Sequence, residues 1–183
     1  MLNVQDMNST VGDFQREYLF KVAIIAYPAH VGTTFSGAAD FAKNVDLYTE
    51  KFKLPESKTA ALKIKWAGMW AWFSGIQDPA GYVLLSLRCD RQYKSLDFFE
   101  AWKAGSGTNE DGSAQPKSAN LGQFEVYMVD VDKTTILKTF VLDQVQIFEV
   151  QEVDIDKGGE NETKINVLVH YETKRIKAGK GSV

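Results

Sequence analysis

Two stretches of strict alternation constrain what this chain can fold into. In Tyr82–Asp90, YVLLSLRCD, the residues Val83, Leu85, Leu87 and Cys89 fall on one face, with Ser86 and Arg88 on the other. In Thr163–Tyr171, Ile165, Val167, Val169 and Tyr171 share a face, while Lys164, Asn166 and His170 lie opposite. A period of two with one apolar face is the signature of a half-buried antiparallel strand. Further apolar runs bounded by turn residues extend the pattern: Tyr18–Tyr27 ended by Pro28, Leu47–Leu54 closed by Pro55, Leu121–Val131 and Leu137–Phe148. QDPAG (77–81) and DKGGENET (156–163) read as turns, and the Gly/Ala/Asn-rich stretch after Pro28 reads as a connection.

One segment breaks the β pattern. SLDFFEAWK (95–103) spaces Phe98 and Trp102 four apart and Leu96 and Phe99 three apart, with Ser95 as an N-cap and Asp97 near the positive end of the helix dipole. Gly105 and Gly107 are expected to stop this helix, and GSGTNEDGSAQPKSAN (105–120) to form a long exposed loop. The fold class expected is mainly β: an antiparallel β-sandwich or barrel of about seven or eight strands with one short flanking α-helix.

Charge and composition narrow the function. The 183 residues suit one domain, placed at 1–173, followed by a basic, flexible C-terminal tail at 174–183. Net charge is −3, but the last ten residues hold four Lys/Arg and no acid, so the body carries −7. Seven acids against one lysine lie between Asp143 and Glu162. An acidic body repels phosphate, which argues against sequence-specific nucleic-acid binding. The single cysteine, Cys89, excludes an internal disulfide framework and reads as an inert buried thiol. No apolar run approaches the length of a membrane span, and MLNVQDMNST lacks the basic and apolar regions of an export signal.

Nothing in the sequence asks for catalysis. His30 and His170 are far apart, and no serine or cysteine stands in a nucleophile motif. His170 alternates with polar residues and reads as a solvated strand histidine. The pairs Asp130/Asp132 and Asp154/Asp156 have the spacing of carboxylates on one side of a strand, where a metal could bind; a strand end entering a polar turn gives the same pattern and is preferred. Gly105 and Gly107 lack the strand and lysine of a phosphate loop. The reading is a non-enzymatic protein with no cofactor and no metal.

The remaining feature is KIKWAGMWAWFSG (63–75), which packs three of the chain's four tryptophans into seven residues. As a strand it aligns Ile64, Trp66, Trp70 and Trp72; as a helix it aligns Trp66, Trp70 and Phe73. Gly68 opposes a stable helix and suits a bend or hairpin turn. Core, ligand pocket and subunit contact all accommodate such a segment. The contact is preferred, because the other strands and the helix already supply a core, and Trp and Met are enriched at interfaces. The candidate interface residues are Trp66, Met69, Trp70, Trp72 and Phe73.

Taken in order, these features resemble the tail tube proteins of contractile-tailed bacteriophages. The resemblance runs over residues 12–172: GDFQREYLFKV (12–22), KLPES (53–57), the tryptophan segment, YVLLSLRCD, the aromatic helix FFEAWK, a long polar loop, and FVLDQVQIFEVQEVDIDKGGENETKINVLVHYE (140–172). It implies a β-barrel subunit with a flanking helix, six copies closing into a ring, and rings stacked as a hollow tube inside a contractile sheath. The implied partners are further copies of the chain, tail sheath, baseplate and tail-terminator proteins, with DNA passing through without specific binding. The implied location is the virion tail, assembled in the bacterial cytoplasm. Inner tubes of type VI secretion and other contractile injection systems are built from similar subunits. The resemblance places subunit contacts in the hairpin after the LP dipeptide, where the tryptophan segment falls. The acid cluster at 143–162, or the polar face of a strand, is expected to line the lumen. A small ligand-binding β-barrel with a tryptophan-lined pocket is the rival from another class.

Overall fold

A computed structural model describes residues 19–55, 58–66, 69–78, 80–106, 116–151 and 163–178. Among the described residues the chain is mainly β, with nine strands: β1 (Phe20–Ala26), β2 (Thr49–Phe52), β3 (Lys58–Trp66), β4 (Met69–Asp78), β5 (Gly81–Arg88), β6 (Gly122–Val129), β7 (Ile136–Val150), β8 (Lys164–Tyr171) and β9 (Thr173–Ala178). Seven of them form one antiparallel sheet in the order β1-β6-β7-β8-β5-β2, with β9 also paired to β7. The alternating stretches at 82–90 and 163–171 pair in unbroken register, Gly81 opposite Tyr171 through Arg88 opposite Lys164.

Strand β7 is the hinge of the sheet. Its first half pairs with β6 and β9, and its second half with β8. Between them the register skips Gln144: Gly122 faces Val145 and Gln123 faces Asp143. Gln144 sits at φ 55, a left-handed conformation that bends the strand and lets it serve both halves.

The single helix of the sequence reading is corrected to three among the described residues. Besides α3 (Lys94–Ser106), the stretch taken for a connection forms α1 (Ala29–Thr34) and α2 (Ala38–Tyr48). Ala38, Phe41, Ala42 and Val45 have helical spacing and are the buried residues of α2. The segment's many small and polar residues hide this stripe, and tertiary burial against β1 rather than propensity fixes the helix. The strand expected at Leu47–Leu54 shrinks accordingly to β2, four residues long.

Ser95 is not the N-cap of α3. It lies inside the helix, fully buried, with its hydroxyl donating to the Arg88 carbonyl at 3.2 Å. The capping acceptor is Asp90, whose Oδ1 takes the Lys94 N–H at 2.9 Å. Gly105 lies within the last turn of α3 rather than ending it. The expected long loop ends in a 3-10 turn at Lys117–Asn120, while residues 107–115 lie outside the described set. The basic stretch read as a tail begins inside β9, where Lys174 pairs with Leu142 and Ala178 with Lys138. Arg175 has a partner there: its Nε donates to Asp143 Oδ2 at 2.6 Å.

One core serves sheet and helices. Trp102 and Phe98 of α3 meet edge-on at 5.9 Å, Trp102 meets Phe124 of β6 at 5.7 Å, and Phe98 meets Phe41 of α2 at 4.8 Å. Asp46 of α2 accepts the Val22 N–H at 2.9 Å, so the helix satisfies part of the outer edge of β1. With α2 along that edge, β1 does not pair with β2, and the sheet stays open rather than closing into a barrel.

Candidate functional site

The tryptophan segment folds as a hairpin. Its register pairs Trp66 with Met69, Lys65 with Trp70 and Lys63 with Trp72, which makes two strands folded back on each other. Residues 67 and 68, where Gly68 was expected to turn the chain, lie outside the described set. β3 and β4 form a two-stranded sheet separate from the seven-stranded one. With nine and ten residues per strand, the hairpin spans roughly 30 Å.

At its end the hairpin carries exposed apolar surface: Met69 is 74% exposed and Trp70 56%. Ile64 is exposed as well. Lys63 Nζ lies 4.3 Å from the centre of the Trp70 ring and Lys65 Nζ 5.9 Å, so two cations flank an accessible indole. The Trp66, Trp72 and Phe73 side chains lie outside what the structure describes. Of the five candidate residues, Met69 and Trp70 therefore stand as exposed side chains. Trp102, the fourth tryptophan, is fully buried in the core.

The open groove beside β2 is lined by Phe20, Leu47, Phe52, Leu54, Leu84 and Met128 with charged neighbours, and by no tryptophan. Sequence reasoning missed this groove, because its walls come from five separate elements.

The other sequence candidates resolve into structural roles. Asp132 accepts the N–H groups of Thr134 and Thr135 at 2.9 and 2.8 Å and the Thr135 hydroxyl at 2.5 Å. These bonds hold its carboxyl well below the usual carboxylate range. The polar turn thus accounts for the Asp130/Asp132 spacing; Asp154 and Asp156 lie outside the described residues. Cys89 is half-buried, and burial raises its thiol pKa. From the acid cluster, Asp143 is bound to Arg175 and accepts Gln123 Nε2 at 2.8 Å, while 152–162 lie outside the described set. No described helix is long and apolar enough to cross a membrane.

His170 is half-buried rather than freely solvated. Its ring lies 4.9 Å from that of Tyr82, which meets Phe148 edge-on at 5.6 Å. Burial, and secondarily the Lys117 ammonium, lowers the imidazole pKa. The unfolded chain then takes up this proton first, so the contribution of neutral His170 is complete above the ordinary imidazole range. It is lost as pH falls through that range to the depressed folded value. His170→Gln is expected to flatten the thermal midpoint against pH across this window, measured by circular-dichroism melts; an undiminished slope would place the effect in another group.

No protein-family model and no curated protein matches the chain. Solved structures do. A chain of the sheath/tube terminator of the extracellular contractile injection system PVC, in its extended state, superposes with a TM-score of 0.65 at 8% identity, over 92% of this chain and 100% of that one. A chain of the PVC sheath-tube complex in the extended state gives 0.63 at 8% identity, over 96% and 98%. A chain of the anti-feeding prophage (AFP) baseplate gives 0.60 at 9% identity, over 91% and 97%. Over nine-tenths or more of its length, the chain shares its fold with these chains of the PVC contractile injection system and the AFP baseplate.

Proposed function

We propose that this chain is a structural, non-catalytic subunit that closes into rings stacked as the inner tube of a contractile injection system. The observation that carries the reading is the hairpin β3–β4. It presents Met69 and Trp70 to solvent at the end of a two-stranded sheet distinct from the main one. Exposed apolar side chains on a projecting element fit an interface waiting for a partner, and another copy of the chain is the simplest one. The open main sheet fits the same reading, since ring closure is one way to cover sheet edges.

Six copies per ring is the number we favour; the similar AFP baseplate is itself described as six-fold symmetrised. Within that class we favour a bacteriophage tail tube located in the virion. The acidic body supports it, because a conduit for DNA gains from not binding the polyanion. The partners proposed are the sheath, a terminator and the baseplate. An inner tube of another contractile injection system is the alternative, with a different cargo.

Negative-stain microscopy of the purified protein tests the assembly. Hollow rings or tubes are expected from the native chain. A chain carrying both Met69→Asp and Trp70→Ser is expected to remain monomeric, with stability within about 0.5 kcal/mol of the parent. Tubes formed by that variant would remove the hairpin from the interface. A variant that unfolds would return these side chains to the core.

A further inference from the structure

The groove beside β2, of about 1,090 Å3, lies between the two end strands of the open sheet. Its apolar lining includes Leu47 and Leu54, which are 79% and 45% exposed. Its charges are largely committed inside the chain. Asp46 accepts the Val22 N–H at 2.9 Å, and Glu50 accepts Lys164 Nζ at 2.7 Å. Lys53 and Arg88 also have interactions of their own, and Lys51 completes the charged lining. With acids and bases mixed and mostly engaged, the surface on offer is apolar. It is also bordered by a strand. Among the described strands β2 pairs with β5 alone, and a strand at the end of a sheet has one edge open to a further strand.

The β3–β4 hairpin matches both properties. It is a sheet of two strands, so each strand has an outer edge, and its end exposes Met69 and Trp70. No described side chain of β3 or β4 lines the groove of its own copy. Reach accounts for this. Lys58 follows Leu54 by four residues and lies at most about 15 Å from it. An extended strand then carries Trp66, which faces Met69, about 26 Å beyond Lys58. The end of the hairpin therefore stays roughly 11 Å or more from Leu54 of the same copy. A groove of this depth is left for the hairpin of another copy.

We propose that the β3–β4 hairpin of a second copy occupies this groove, with Met69 and Trp70 against Leu47 and Leu54 and one hairpin edge alongside β2. The proposal rests on the reading of the hairpin as a subunit contact and names the surface that receives it. Lys63 and Lys65 lie at the rim, their stems over apolar surface and their ammonium groups in water. The unpaired edges supply backbone hydrogen bonds, and the leucines supply the pocket for alternate side chains. Hairpin and groove are different surfaces of one chain, so the contact is head-to-tail and passes from copy to copy until it closes.

Disulfide trapping on the full chain, in a Cys89→Ser background, tests it. A Met69→Cys chain mixed with a Leu47→Cys chain is expected to oxidise to a linked heterodimer, with the joined peptides identified by mass spectrometry. Mixed with a Leu137→Cys chain, exposed on β7 outside the groove lining, it is expected to link far less. Adding Leu54→Asp to the Leu47→Cys chain is expected to abolish the link while circular dichroism matches the parent. Equal linking to both positions, no linking, or a link that survives Leu54→Asp in a folded chain would overturn the proposal. So would an intrachain bond in a dilute chain carrying both Met69→Cys and Leu47→Cys. Negative stain of the same samples separates the two readings. Rings or tubes without the groove link overturn the docking and leave the assembly standing; the groove link in chains that form neither leaves the docking and counts against the assembly.

Discussion

Trp102→Ala is expected to destabilise the chain by about 3–5 kcal/mol, lowering the thermal midpoint by roughly 10 °C or more. Three causes add. The indole is fully buried, so its removal leaves a large cavity between α3 and β6. Edge-on contacts to Phe98 and Phe124 are lost together. The Asn120 carbonyl, which accepts the indole N–H at 3.2 Å, loses that donor in a buried setting. Trp102→Phe separates the causes: it keeps most of the ring area and removes the donor, and a cost of about 1–2 kcal/mol is expected. Denaturant titration of both variants is the measurement. Equal costs for the two would mean that the hydrogen bond, not packing, dominates.

Gly122→Ala is expected to cost about 3 kcal/mol, a large effect for one methyl group. A β-carbon at this position would lie 2.4 Å from Trp102 Cη2 and Cζ2 and 2.6 Å from the Ala26 carbonyl oxygen. The ring is held by the core, and the carbonyl belongs to the backbone at the end of β1, so neither can withdraw cheaply. Gly122 also begins β6 at the point where β7 bends past Gln144, which ties the clash to the register of the sheet. Thermal melts should show a drop of roughly 6–12 °C. A change below about 0.5 kcal/mol would show that the indole and the strand shift together. Gly122→Ala in the Trp102→Phe background should cost less than alone, since the smaller ring withdraws the two closest atoms.

Much of the sheet was legible because its strands are half-buried. Val83, Leu85 and Leu87, and Ile165, Val167 and Val169, alternate with outward residues, and each of the six is buried. The apolar helix 95–103 was legible for the corresponding reason, its Phe98, Phe99 and Trp102 all pointing to the core. Helix α2 was not, since its buried stripe of Ala38, Phe41, Ala42 and Val45 holds one large apolar residue and is weak until the neighbouring β1 buries it. The cap of α3 was misread because Asp90 and Ser95 are both good capping residues, and the bend before the helix decides which side chain reaches the free N–H. The strand hidden in the basic end was missed because alternation is faint in TKRIKA, and its pairing with β7 supplies what its own pattern lacks.

The tryptophan segment shows the same division. Its aromatic density and its central glycine set it apart in the sequence as a candidate contact segment with an expected bend. Only the folded chain split it into two strands, stood them apart from the main sheet, and set Trp70 between Lys63 and Lys65. The sequence by itself determined the local quantities: which segments alternate, that 95–103 is helical, where the charge lies, and the absence of any catalytic motif. These follow from neighbours within a turn or a strand. The tertiary structure alone decided the bend at Gln144, the helix along the β1 edge, the open sheet and the groove, because each depends on residues far apart in the chain meeting in space.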